Sequence, residues 1–168
     1  MTDLLKQRIK QFKIPQGALD GQAVFLRVHV WQIADGDNGE SEDEKFFKGT
    51  NILKPQAVQS NDRARAPRGV LISAGLEAMD FLVSNGMQLG DIVWFTRVSP
   101  WRRPVDGDGV KTTEIVILYA SDIIASETLA ERIRNGAKYA QAKDGGHEFI
   151  DADGKSWARK DPAIEHDY

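Results

Sequence analysis

Cysteine is absent from all 168 residues, so disulfides, thiolate nucleophiles and thiolate metal sites are excluded together. Histidine is scarce. His29, His147 and His166 stand apart, none within a Ser, Asp or Glu signature, which leaves neither a catalytic triad nor a metal-ligand spacing. No Gly-rich run leads into Lys-Ser or Lys-Thr, and no dinucleotide fingerprint occurs, so phosphate-cofactor chemistry has no support. No apolar run approaches the roughly 18 residues of a membrane span. Met1 to Phe12 alternates charged with apolar residues where a signal peptide would be apolar. Nor is positive charge in excess: the formal net charge is −3, which argues against a dedicated nucleic-acid binder. These absences lead to an expectation of a non-enzymatic chain without metal or cofactor, resident in the cytoplasm or in the particle where it is made.

What is present is the composition of one compact domain, 41% hydrophobic and 28% charged. Leu5, Ile9 and Phe12 recur at helical spacing among basic residues, predicting a short amphipathic helix that Pro15 and Gly17 end. Ala23 to Trp31 reads as a strand with Arg27 and His29 on one face and Leu26, Val28 and Val30 on the other. Asp35 to Glu44 holds six acids among turn formers and reads as an exposed loop, as does the irregular stretch from Gly49 to Pro67. Strands are expected at Gly69 to Gly75, Ile92 to Phe95 and Glu114 to Tyr119, with a helix over Leu76 to Val83, an Asn85-Gly86 cap and a Gly90-Asp91 turn. Ser126 fits an N-cap for a helix from Glu127 to Ala142 whose stripe is Leu129, Ile133, Ala137 and Ala140. A small hairpin around Asp151 to Gly154 and a polar tail complete the chain.

Two clusters invite chemistry. The acid-rich segments at Asp35, Asp106 and Asp151 bear on calcium binding, but their glycines fall out of step with an EF-hand loop, and all three read as turns. Trp94, Arg97, Trp101, Arg102 and Arg103 interleave rings with guanidinium groups. On a net acidic chain they read as protein-interface anchors in an Arg/Trp loop in preference to a single-stranded nucleic-acid surface.

The order of motifs resembles the GroES-type co-chaperonins. Arg68 to Gly75 is similar to that family's Arg-Gly-x-Val-x-Ala-x-Gly strand, Met87 to Phe95 to its Val-Gly-Asp-x-Val-x-Phe segment, and Glu114 to Ala125 to its closing Glu-x-Val-Leu-Ile-x-x-x-Asp-Ile-Leu-Ala signature. Gly49 to Pro55 resembles its mobile loop. The resemblance implies a mostly β fold, a GroES-like partly open barrel over residues 23–125; beside it the sequence adds an N-terminal helical arm (1–22) and a C-terminal helix, hairpin and tail (126–168), which depart from the family. The resemblance further implies a homo-oligomer whose first and last barrel strands pair between neighbours, with Phe25, Val28, Ile115, Ile117 and Tyr119 at that interface. Ile52, Leu53 and Pro55 would dock on a chaperonin ring to assist protein folding. The helix over Leu76 to Ser84 in place of the family's roof hairpin, the extra acids and the flanking arms suit a second reading: a bacteriophage head or decoration protein, located in the virion, whose arms clasp neighbouring capsid proteins.

Overall fold

The computed structural model describes residues 1–33, 67–96, 101–105 and 113–157, with the backbone alone at Arg103, Pro104, Thr113 and Glu114. One antiparallel sheet organises it, formed by β1 (Arg27–Gln32), β2 (Arg68–Ala74), β3 (Ile92–Phe95), β4 (Trp101–Val105), β5 (Thr113–Tyr119) and β6 (Ile123–Ser126) in the spatial order β4-β5-β1-β2-β3-β6. A separate hairpin pairs β7 (Lys138–Gln141) with β8 (His147–Ile150). Four helices accompany the strands among the described residues: α1 (Asp3–Phe12), α2 (Gln16–Leu19), α3 (Leu76–Ser84) and α4 (Glu127–Arg134). The architecture is therefore mixed α/β. β4 and β6 are the sheet's two edges and do not pair with each other among the described residues, so these strands form no closed barrel; the antiparallel, strand-rich sheet and the added helices are as expected, with a larger helical share than a mostly β fold implies.

Strand alternation explains the layers. On one face of β1, Val28 and Val30 join Leu71, Val93, Phe95, Val116 and Leu118 beneath Ala78 and Leu82 of α3 and Leu129 of α4. On the other, Trp31 and Ile33 join Val70, Ile72, Ile92 and Ile115 beneath Leu5 of α1 and Ala18 of α2. A sheet apolar on both faces needs a layer on each. The N-terminal segment supplies one of them, so it is packed on its own sheet and is not a free arm. Thr2 caps α1 by accepting from the Leu5 amide at 3.2 Å, and its hydroxyl donates to the Leu89 carbonyl at 2.9 Å.

Three local expectations need correction. The strand predicted from Ala23 begins only at Arg27, because Ala23 to Leu26 turns: the Arg27 amide donates to the Val24 carbonyl, and Phe25 sits at a left-handed φ of 55°. Trp101 to Val105, read as loop, is an edge strand paired with β5, a position that tolerates Pro104, which has no amide to offer a ladder. The helix predicted to Ala142 stops at Arg134. Gly136 adopts a φ of 111°, and the chain leaves as β7, so Ile133 is 43% exposed where the stripe would have buried it. The Asp151 turn does form. The Asp151 carboxylate accepts from the amides of Asp153 and Lys155, bonds that hold it below its ordinary pKa, while the main hairpin pairing is β7 with β8.

A buried ion pair ties α4 to the sheet. The Arg132 guanidinium donates to both oxygens of fully buried Asp91 at 2.5 and 2.6 Å and also to the Gly86 carbonyl. Asp91 follows Gly90, whose φ of 96° makes the turn into β3. Burial raises the Asp91 carboxyl above its ordinary value of 3.8, outweighing the lowering by Arg132. The stability linked to its proton is thus complete below that value and is lost as pH rises through the folded pKa. Arg132→Ala should cost about 3–5 kcal/mol at neutral pH by stranding the carboxylate. Urea midpoints measured at neutral and at mildly acidic pH should show the loss shrinking as the carboxyl takes up its proton.

Candidate protein-docking site

Helices α1 and α2 cover only part of their face of the sheet. Beyond them, at the Arg27 end of β1, lies an open groove of about 320 Å³. Its floor follows from pairing register: Arg27 lies opposite Tyr119, and His29 lies opposite Ile117, which lies opposite Trp101 on β4. One wall is Trp101. The other is the chain from Gln22 to Val24, held by the Ala23 amide donating to Ser73 Oγ at 2.8 Å and by the Gln22 side-chain amide donating to the Ala74 carbonyl at 2.9 Å.

The mouth is aromatic and cationic. Arg27 donates to the Tyr119 hydroxyl at 3.2 Å, and its guanidinium lies 4.7 Å from the Tyr119 ring centroid and 5.9 Å from that of Trp101. Such stacking fixes a guanidinium that still has donors to spare. No carboxylate pairs with Arg27 among the described residues. Trp101 and Tyr119 are 56% and 48% exposed.

The turn at the groove's end is strained and tied down. The Phe25 carbonyl accepts from the Ala78 amide at the start of α3, and the Leu26 carbonyl accepts from the Ala120 amide. Gly75 makes this approach possible, since a Cβ there would collide with the Val24–Phe25 backbone. A non-glycine residue held at positive φ stores on the order of 1–3 kcal/mol. Here it presents the Phe25 side chain to solvent at 71% exposure, beside exposed Val24, Leu26 and Leu76.

The residues singled out from the sequence divide. Phe25 and Tyr119 reach this surface, and Ile117 lines the groove. Val28 and Ile115 are fully buried in the chain's own core. The strands assigned to pairing between neighbours, β1 and β5, instead pair with each other within one chain from Arg27–Tyr119 to Trp31–Ile115. Trp101 anchors the groove. Trp94 does not join it: three strands intervene, and its indole NH donates to Glu127, which also takes a bond from Arg68. Arg102 donates to Gln32 at the opposite end of β1. Arg97, Ile52, Leu53 and Pro55 lie outside the described residues, as does the Arg103 side chain. Sequence reading placed Arg27 and His29 on one face without making them a site; the local signal was a guanidinium and an imidazole at alternate positions of the otherwise apolar run from Ala23 to Trp31.

This arrangement can receive an apolar side chain next to an anion. Among the described residues no three His, Asp or Glu converge as metal ligands, and no helix is long and apolar enough to cross a membrane. Trp31 is buried, and Trp94 and Trp157 are half-buried. Trp101→Phe should therefore remove most of the acrylamide-quenchable fluorescence while moving the urea midpoint by less than about 1 kcal/mol of stability. A search against family models finds none that matches this sequence, and a search of curated proteins likewise finds no match.

Proposed function

We propose that this chain is a non-enzymatic protein-binding module that works by self-association and docking. The observation that carries the reading is the surface at the Arg27 end of the sheet, where Val24, Phe25, Leu26, Leu76, Trp101 and Tyr119 are each between 48% and 71% exposed. Apolar side chains exposed together at one end of a sheet mark an interaction surface. Trp, Tyr and Arg at its centre are the residue types that dominate binding energy. The GroES-type motif order supports a chaperonin ring as one partner for a module of this kind. The α3 helix and the pairing of β1 with β5 in one chain support the second reading, an assembly protein of a phage particle that binds copies of itself and capsid proteins, although its N-terminal helices pack on their own sheet and do not serve as a clasping arm.

Native mass spectrometry of the purified chain, alone and then with a chaperonin ring plus nucleotide, separates these readings. Self-association without chaperonin binding is the expected result. A closed ring that joins the chaperonin, and loses it on combined Ile52→Asp and Leu53→Asp substitution, would establish the co-chaperonin reading instead. A monomer that binds neither itself nor a capsid or chaperonin partner would overturn the proposal. Phe25→Asp should weaken self-association at least tenfold without lowering the thermal midpoint, since its side chain stands in solvent.

A further inference from the structure

The groove's chemistry has a complement in the same sequence. Glu42-Asp43-Glu44 is followed one residue later by Phe46-Phe47, so carboxylates and aromatic rings adjoin as the Arg27 guanidinium adjoins the Trp101 ring and the apolar floor. Arg27 has no carboxylate partner among the described residues and keeps donors beyond the one it gives Tyr119. We infer that the groove receives the Glu42–Phe47 segment of a second copy of this chain, with the acids on Arg27 and a phenylalanine ring against Trp101 and Ile117. This rests on the self-association reading and names its partner.

Topology places the segment's attachments and the groove at opposite ends of β1. The groove lies at the Arg27 end of β1. The chain leaves β1 through Ile33 at the other end and returns into β2 at Arg68, with Gln32 opposite Gly69. Both attachments of the 34–66 segment are therefore at the end of the sheet remote from the groove, about 20 Å away along a six-residue strand. With segment and groove at opposite ends, each copy can give its segment to one neighbour and its groove to the next, which closes as a ring or runs on as a filament, or two copies can exchange segments reciprocally as a two-fold dimer. The contact is electrostatically assisted, so it should weaken with salt.

The test uses two full-length variants. One blocks the groove (Arg27→Glu with Trp101→Ala); the other blanks the segment (Glu42→Gln, Asp43→Asn, Glu44→Gln, Phe46→Ala, Phe47→Ala). Matching far-ultraviolet dichroism and urea midpoints would show that both are folded, and Arg27→Glu alone serves if the double variant is not. In analytical ultracentrifugation the wild type should self-associate, as a reciprocal dimer or as a larger ring or filament, each variant alone should be at least tenfold weaker in self-association, and the equimolar mixture should recover a one-to-one dimer, because only one groove and one segment remain intact. A fluorescein-labelled peptide of residues 41–49 should bind the segment-blanked chain and lose at least tenfold in affinity on the groove-blocked chain or when its order is scrambled. If both variants assemble as the wild type does, the inference fails while self-association through another surface stands. If the mixture stays monomeric, or the wild type is a monomer whose Trp101 is shielded by its own segment, the inference fails. A wild type that binds no partner at all removes the self-association reading with it.

Discussion

The central strand β1 must be covered on both faces, and the rest of the molecule follows from that constraint. It lies between β2 and β5, sends Val28 and Val30 to one side and Trp31 to the other, and leaves none of them more than 7% exposed. Burying a side chain of this kind is worth about 1.5–3 kcal/mol, so each face draws helices to it. One face receives α3 and α4. The other receives α1 and α2, which are too short to cover the whole of it. The uncovered remainder, where β1 begins with Arg27 and His29, is the groove. The candidate site is thus where the second helical layer ends.

Polar groups inside the molecule serve mainly to register these layers. Asp91 takes two bonds from Arg132 and one from the Gln88 amide, joining the turn before β3 to α4. The Thr128 hydroxyl accepts from the Ile92 amide, and Ser126 both caps α4 and donates to the Ile92 carbonyl. Beyond α4 the hairpin packs rings around Phe149, with Tyr139 and Trp157 edge-on to it and Arg132 stacked on Trp157. One guanidinium therefore binds the sheet through Asp91 and the hairpin through Trp157. This concentration of directed contacts at one end contrasts with the groove end, where the Arg27 side chain has rings on two sides and a single hydrogen bond among the described residues.

Much of the local structure was legible because it is set by spacing and by single residues. The α1 stripe, the β2 strand, the α3 helix, the Gly90-Asp91 turn and the Ser126 cap each depend on neighbours a few positions away, where periodicity and capping chemistry act. Errors came where a distant partner decided. Ala23 to Leu26 has strand composition, yet its carbonyls serve α3 and Ala120. Trp101 to Val105 has loop composition, yet β5 pairs with it. The stretch after Arg134 continues a helical pattern, yet Gly136 breaks it and β8 supplies a strand partner. Local propensity yields when tertiary hydrogen bonds and burial favour another conformation.

By itself the sequence determined the absence of thiols and disulfides, the alternation that makes β1 two-faced, the caps and turns, and the acidic and aromatic content of its segments, because composition, period and backbone preference are properties of neighbouring residues. Only the tertiary structure decided that β1 and β5 pair within one chain, that Trp94 and Trp101 are separated by three strands, and that Arg27, Ile117 and Trp101 share a groove. Those outcomes depend on strand order and register, which bring residues as much as 92 positions apart, as in Arg27 and Tyr119, within a hydrogen bond. No local pattern carries that information, since side chains on different strands meet only after the sheet has chosen its order.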